Sequence, residues 1–506
     1  MKNNDTAKKI NSCLALLLII CVLLASISSC SKDNAETAEI ETTMSVETDT
    51  ADADSANTSD TSLPELSEVL PDELDFEGLT IRYYLEDQPE TYLLGDLEGD
   101  VVNAAVATVN QRVSEFLNVG FSVEKVVPVF EMSSAIQKMI RSGDDNCDVC
   151  VIQRWCSAGM APLGYFTDVS SLPHLNLENP WWASAYIDAM SYNGTYLLTS
   201  DMCTNYIGGT YAIFANMRIW DALNLPDIYG IVLDGTWTID KMTDYAKNAW
   251  QDLNGNGQTD DEDQLGYVYN FTEELATGLG VKYCDRDEKG VPYLSMMNEH
   301  TVDVWEKLYR LYVETPGSCN ALANNKEDID YFRNGSALFM DRMFCYSNML
   351  RDMEDDYYIV PTPKFDEAQE NYISLNAGNG AQYGIPVTAQ NTETIGAVLE
   401  ALALESRRIT RPAYYDLTLG EKIARDNESK KMIDLIQDTV FVDFGYCYAK
   451  AIGSGYDTGS WEVLFDFFRT IGSRQENNPV SLYESKKSQY EQHLADLLEA
   501  FENIKN

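Results

Sequence analysis

The composition changes abruptly at Phe76, and that boundary decides how much of the chain can fold. From Ser31 to about Asp75 the sequence is built of Asp, Glu, Ser, Thr and Ala with almost no large apolar side chains. Such a segment cannot bury enough surface to offset its ordering entropy, and its like charges repel one another. A solvated tether is expected there. After Phe76 apolar and aromatic residues alternate, which leaves most of the 506 residues for folding. That length suits two lobes or more, each with its own core.

The folded part opens with a readable alternation of periods. Leu79 to Leu85 is a β-branched and aromatic run, a first strand. Val102, Val106, Val109, Val113, Phe116 and Leu117 recur at helical spacing up to a stop at Gly120. Phe121 to Val127 returns to strand. Met132, Ile136, Met139 and Ile140 mark a helix ending at Gly143, and Asp148 to Ile152 is again strand. A βαβαβ start implies an α/β fold with a mostly parallel sheet flanked by helices. Strand patterns resume at Thr195 to Leu198 and Tyr211 to Asn216. Later helices are marked by Val302, Trp305, Leu308, Tyr309 and Tyr312, by Ile395, Val398, Leu399 and Leu402, and by Tyr490, Leu494, Leu497, Leu498 and Phe501.

The first 29 residues are of another kind. Lys2, Lys8 and Lys9 precede an apolar run from Leu14 to Ala25, too short to cross a bilayer core of ~30 Å as a helix. This is the pattern of a cleaved signal peptide. Ile27-Ser28-Ser29-Cys30 resembles the bacterial lipobox, with Ile in place of Leu at its first position and Ser in place of Gly or Ala before the cysteine. The resemblance implies diacylglycerol on Cys30 and a mature chain held by lipid on the extracellular face of the cytoplasmic membrane, with residues 30–75 as the tether. An ordinary signal peptide with an incidental cysteine is the alternative.

The 81 acidic and 36 basic residues give a net charge of −45, which repels nucleic acid and anionic headgroups. Solubility is the simplest reading of that charge. Of the eleven cysteines, those beyond Cys30 are scattered, without the regular spacing of a disulfide scaffold. Cys147 and Cys150 form a CxxC, but a strand from Asp148 would send side chains three apart to opposite faces. His174, His300 and His493 stand away from any cysteine pair, which leaves zinc unsupported.

The run from Asp252 to Asp263 has the oxygen spacing of an EF-hand calcium loop. Asp252, Asn254, Asn256, Asp260 and Asp263 supply side chains, Gln258 a carbonyl, and Gly257 the sharp turn. Asp263 stands where such loops usually carry Glu, and strand rather than helix follows at Leu265 to Tyr269. A structural calcium is one expectation; a polar turn capping the preceding helix is the other.

Taken in order, several segments resemble an extracellular solute-binding protein of family 1, the receptor of a carbohydrate ABC importer. They are Leu172-Pro173 with Trp181-Trp182, Ala212 to Asn216, Trp237-Thr238 before the helix Ile239 to Trp250, and Phe332 to Phe339. Pro361 to Lys364, Gly384-Ile385-Pro386, Glu400 to Ala403 and Pro412 to Asp416 continue the series. The resemblance spans roughly Phe76 to Phe501. It implies a two-lobed periplasmic-binding-protein-like fold of type II, with a cleft between the lobes. By analogy residues 76–202 and 331–374 form the first lobe, and residues 203–330 and 375–506 the second. Hinge closure would then couple binding to recognition by the permease.

Sugar recognition needs aromatic faces and planar polar side chains, placed where strands end or cross between lobes. That test selects Glu86, Asp87 and Trp155 in the first lobe. Asp201 and Tyr206 flank one crossing, Asn379 and Gln382 another. Asp341, Arg342 and Trp461 complete the set. Trp181 and Trp182 could stack on a sugar, but they lie outside the crossings and packing suits them better.

The expected function is therefore capture of an oligosaccharide outside the cell by a monomer that performs no chemistry on it and hands it to permease subunits. A secreted hydrolase with two carboxylates is the rival from another class. No G-x-S-x-G or H-E-x-x-H is present, and no eight-fold barrel pattern. A binding protein for a peptide or polyamine is the third possibility.

Overall fold

The structure, a computed structural model, describes residues 63–87, 93–128, 131–378, 380–419, 427–456 and 462–504. Cys30, Asn379 and Trp461, all singled out above, lie outside the described residues, as does the side chain of Trp155. Among the described residues no helix is long and apolar enough to cross a membrane.

The fold begins earlier than the composition suggests. A short helix, Leu66–Val69, buries Leu66, and Leu70 beside it is 2% exposed in the same core as Ile81 and Val113. Arg408 Nη1 reaches Glu65 at 3.2 Å. The last part of the expected tether is thus packed onto the domain, docked by two buried leucines and by Glu65, which pairs with both Arg408 and Arg112.

The first sheet arises as the alternating pattern predicts. Strand β1 (Leu79–Glu86) lies between β2 (Val119–Val127) and β3 (Val149–Gln153), parallel to both. The helix Val101–Leu117 is capped by Asp100, which accepts from the Val102 and Asn103 amides, and it buries Val102, Val109 and Val113. It ends at Asn118 in the left-handed region (φ 50), two residues before the expected Gly120. The helix Met132–Ser142 stops as expected at Gly143, with φ 67.

The chain then builds a second sheet. β4 (Tyr211–Asn216) and β5 (Leu265–Tyr269) enter it; β6 (Cys284–Arg286) and β7 (Pro292–Leu294) form a separate hairpin; β8 (Ser318–Asn320), β9 (Ala337–Met343) and β10 (Tyr357–Val360) complete it. Its order is β10-β4-β9-β5-β8, with β9, β5 and β8 parallel and β4 antiparallel to β9. Further on, β11 (Ser374–Leu375) pairs with β13 (Val440–Phe441), and β12 (Ala381–Gly384) returns to the first sheet, antiparallel to β3.

This pairing corrects the expected lobe boundaries. Residues 331–374 carry β9 and β10 and so belong with the second sheet, while β12 belongs with the first. The helix Thr392–Glu405 goes with the first sheet too, since Val398 and Leu402 share a core with Ile81 and Val113. Thr195 to Leu198 forms no strand, only a bridge between Leu198 and Tyr383.

Two of the chain's passages between the sheets adjoin each other. One leaves the first sheet at Leu198, whose amide and carbonyl pair with those of Tyr383 at 2.9 and 2.8 Å, and arrives at Tyr211. The other leaves the second sheet at Asn376, bridged to Thr210, and arrives at Ala381. They are fastened side by side. The Ala377 amide donates to Gly209 O at 2.8 Å, Asn376 Nδ2 to Tyr206 O at 2.8 Å, and the Ala381 amide to Asn205 Oδ1 at 3.0 Å.

The CxxC expectation fails at its geometry. Cys147 precedes the strand, and a bend at Asp148 turns it back, so that its Sγ lies 3.5 Å from that of Cys150.

Candidate functional site

The carboxyl ends of β1, β2 and β3 lie at one edge of the first sheet, where β12 begins, because Ala381 pairs with Gln153. The carboxyl ends of β5, β8 and β9 lie at one edge of the second, where β4 begins, because Tyr211 pairs with Met343. Both joining segments run between these two edges. Open α/β sheets bind ligands at such edges, where loops replace strands and backbone groups are unpaired.

From the first sheet the contact is made by Arg154, the residue after β3 and the first of the helix Arg154–Met160. Its guanidinium is fully buried and lies 4.5 Å from the centre of the Tyr446 ring, and Nη1 donates to Tyr446 O at 2.6 Å. Tyr446 stands on the short helix Phe444–Cys447, capped by Asp443. The Asp443 carboxylate accepts from the amides of Tyr446 (2.9 Å) and Tyr283 (2.7 Å), yet burial pushes its carboxyl up to about 6 against those bonds.

The stack continues towards the second sheet. The Tyr446 ring lies 5.2 Å from that of Phe465, and the Arg469 guanidinium lies 4.9 Å from Phe465 and 4.4 Å from Phe271. Arg469 also pairs with Glu273, Nε to Oε1 at 2.8 Å. Phe271 and Glu273 follow the end of β5. There a pocket of about 720 Å³ opens, walled by Asn270, Phe271 and Thr272 after β5, by Asn320 at the end of β8, by Glu462, and by Asp466, Arg469 and Lys486 from the C-terminal helices. Its lining includes the rings of Phe271, Phe467 and Tyr490 and both signs of charge. Behind it Glu274 is buried, and burial, with Glu273 and Asp341 adding, drives its carboxyl well above the carboxylate range.

The residues chosen from the sequence do not form one cluster. Glu86 is buried at the end of β1, where Oε2 accepts from the Gln153 amide at 2.9 Å. Asp87 is exposed. Gln382 is buried between Ser157, whose Oγ donates to it at 2.6 Å, and Met190. Asp201 sits on the first joining segment in an ion pair with Arg407 at 3.0 Å; burial, opposed by Arg411, raises its carboxyl. Tyr206 packs edge-on against Tyr186 with ring centres 5.7 Å apart. Asp341 and Arg342 are strand neighbours and face opposite ways. Asp341 turns towards Tyr267 and is pushed up to about 7, chiefly by burial, whereas Arg342 pairs with Asp328 at 2.8 Å and stacks on Tyr346 at 4.5 Å.

Sequence reasoning missed Arg154, Phe271, Glu273, Tyr446 and Arg469. Two were within its reach: Arg154 adjoins Trp155 at a strand end already chosen, and Phe271 follows a strand read correctly. Glu273 lies just beyond Phe271, while Tyr446 and Arg469 come from helices whose distance along the chain gives no signal.

In the loop of residues 252–263 the Asp252 carboxylate accepts from the amides of Gly255, Asn256 and Gly257, while Asn254 and Asn256 turn their side chains to Asp260. It is the amide nitrogens of Asn254 and Asn256 that face Asp260, while their oxygens accept from the Asn256 and Gln258 amides. Asp263 departs from the expected ligand set: it is buried and accepts from the Leu253 amide at 3.1 Å and the Trp250 indole at 3.3 Å. Among the described residues no three His, Cys, Asp or Glu side chains are grouped to hold a metal.

The architecture is that of the two-lobed solute-binding proteins. An ABC substrate-binding protein from Listeria monocytogenes, solved in complex with cycloalternan, is similar over 84% of this chain and 98% of its own, with 11% identity and a TM-score of 0.50. UgpB from Mycobacterium tuberculosis, solved in complex with glycerophosphocholine, is similar over 82% of this chain and 98% of its own, with 14% identity and a TM-score of 0.54. By sequence, the chain matches no known family profile and no curated protein.

Proposed function

We propose that this protein is the extracellular receptor of an ABC importer, that it captures a carbohydrate between its two sheets, and that it releases the solute unaltered to permease subunits. One observation carries the reading: the carboxyl edges of both sheets are joined by two segments laced to each other, the arrangement of a hinge. A solute touching both edges then favours the closed form by the contacts it adds there. The pocket beside Phe271, at about 720 Å³, falls within the range of small-molecule sites, roughly 300–1,000 Å³. Its rings and its charged side chains suit the C–H face and the hydroxyls of a sugar.

The complexes of the two similar proteins, one with a cyclic oligosaccharide and one with a polar phosphodiester, agree with a polyhydroxylated solute. In the same proposal Cys30 carries the lipid that holds the chain outside the cytoplasmic membrane, and Asp252, Asn254, Asn256 and Asp260, with the Gln258 carbonyl, hold a structural calcium.

Incubating the isolated chain with a panel of glycans tests the reading. A raised melting temperature with the glycan recovered intact is expected. Cleavage of the glycan would instead establish a hydrolase, and a response to peptides or polyamines alone would move the solute class.

A further inference from the structure

We propose that Cys147 and Cys150 are a modification site, closing a disulfide across the head of β3 when the chain folds in an oxidising medium. The two Sγ atoms are already 3.5 Å apart, and both cysteines are 0% exposed. What brings them together is not the cysteines themselves. Asp148, between them, is fully buried and holds Arg82 at both ends: its amide donates to Arg82 O at 2.8 Å, and its carboxylate accepts from Arg82 Nε and Nη2, each at 2.9 Å. Those bonds fix the bend that turns Cys147 back over the strand.

The thiols have no better partner. Cys147 donates only weakly, to Val149 O at 3.5 Å, and the surrounding side chains are apolar or aromatic. Burial also pushes the Cys150 thiol well up, so it has no tendency to stay a thiolate in the finished fold. A buried thiol pair in contact gains a covalent bond without loss of an ion pair, and the closed loop restricts the unfolded chain.

The oxidant required is a small-molecule disulfide. One cysteine thiolate, formed in the still-open chain, attacks the oxidant; its S–S bond breaks, one thiol leaves, and a mixed disulfide remains. The second cysteine sulfur displaces the other thiol and loses its proton, and the Sγ–Sγ bond forms. Two thiols are oxidised and one disulfide is reduced to two thiols. Once β3 is docked, neither sulfur can be reached, so the bond persists against added reductant until the fold opens.

The test is made on the full chain, unfolded in urea with reductant, refolded in a buffer of reduced and oxidised glutathione, and then unfolded in urea at neutral pH with an excess of alkylating reagent. The peptide holding Cys147 and Cys150 is expected without alkyl groups and lighter by two hydrogens, while Cys203, Cys284, Cys319 and Cys447 are alkylated. Brief exposure of the folded product to dithiothreitol before quenching should leave that peptide unchanged. Cys147→Ser should return Cys150 to full alkylation. Full alkylation of both sulfurs in the natural chain, at glutathione ratios that oxidise a surface dithiol, would overturn the proposal. The measurement needs no membrane and no solute, so it stands apart from the transport reading.

Discussion

Glu400 Oε1 accepts a hydrogen bond from the indole N–H of Trp181 at 2.9 Å, across 219 residues of chain. The other oxygen accepts from the Trp182 indole at 3.0 Å and from the Asn176 amide at 3.0 Å, and Asn179 Nδ2 adds a fourth bond at 2.6 Å. A single buried carboxylate therefore pins the Trp-Trp loop to the helix Thr392–Glu405, and both indoles are engaged in packing. Glu400→Ala would leave four donors without this acceptor, two of them the buried indoles of Trp181 and Trp182. We expect a loss of about 3 kcal/mol or more, read as a fall in the urea midpoint at constant slope. Glu400→Gln keeps one acceptor and should lie between.

The two tryptophans also show what the sequence can and cannot convey. Their packing role was readable, because they stand outside the crossings; their partner was not, because nothing in a helix period announces a carboxylate that faces inward. The βαβαβ opening was legible for the same local reason, since strand and helix periods are set within a few residues. The lobe boundaries were not. Which sheet β9, β10 and β12 join is decided by edge pairing between segments over a hundred residues apart, and a short run such as Ala381–Gly384 carries no trace of it. The candidate site suffered likewise: strand ends were found, but Tyr446 and Arg469 arrive from helices placed by the whole fold.

Phe271 should carry solute affinity without carrying the fold, whereas Arg469 also holds the buried Glu273 carboxylate, so that Arg469→Ala should lower the melting temperature as well. The ring is half-buried at the pocket wall, and the guanidinium that lies over it is about one third exposed (32%). Phe271→Ala removes the apolar face offered to a sugar. A roughly tenfold weaker Kd, about 1.4 kcal/mol, is expected by calorimetry with the glycan found in the panel, with little change in melting temperature. Unchanged affinity in both Phe271→Ala and Arg469→Ala would remove this pocket from the site.

Gly266 marks a place where two elements touch without room for a methyl group. It lies in β5 beneath the last turn of the helix Ile239–Ala249, and a Cβ there would overlap the Ala246 carbonyl. Backbone cannot yield as a side-chain tip can. Gly266→Ala is expected to cost about 1–3 kcal/mol or more, whereas Gly143→Ala, with open space but a left-handed backbone, should cost about 1 kcal/mol. Urea unfolding of the two variants makes the comparison.

The loop of residues 252–263 separates its two readings by one experiment. Calcium should raise the melting temperature and chelation should lower it again, and Asp260→Ala should abolish that response. Asp263→Ala tests a different role: its carboxylate holds the Leu253 amide and the Trp250 indole, so the variant should melt lower with and without calcium. A calcium shift that survives in Asp260→Ala would remove that residue from the ligands.

Three buried carboxyls give the stability a distinct pH profile. Asp341 is raised to about 7, chiefly by burial, with Asp328 adding; Asp328 is raised to about 6 by burial against the pull of Arg342; Asp443 is raised to about 6 by burial. In the unfolded chain each returns to the ordinary aspartate range, near 3.9. The folded state therefore binds protons first, and the stability this supplies is full below the unfolded value and is lost as pH rises through 6 and 7. The melting temperature should climb from pH 8 to pH 5. The net charge of −45 pushes the same way, since protonation relieves self-repulsion, so the natural chain alone does not separate the causes. Asp341→Asn does. It changes the overall charge by one while removing the group with the highest value, so it should stabilise the protein at pH 8 and flatten the slope between pH 6 and 8. An unaltered slope would mean that Asp341 keeps its ordinary acidity in the fold.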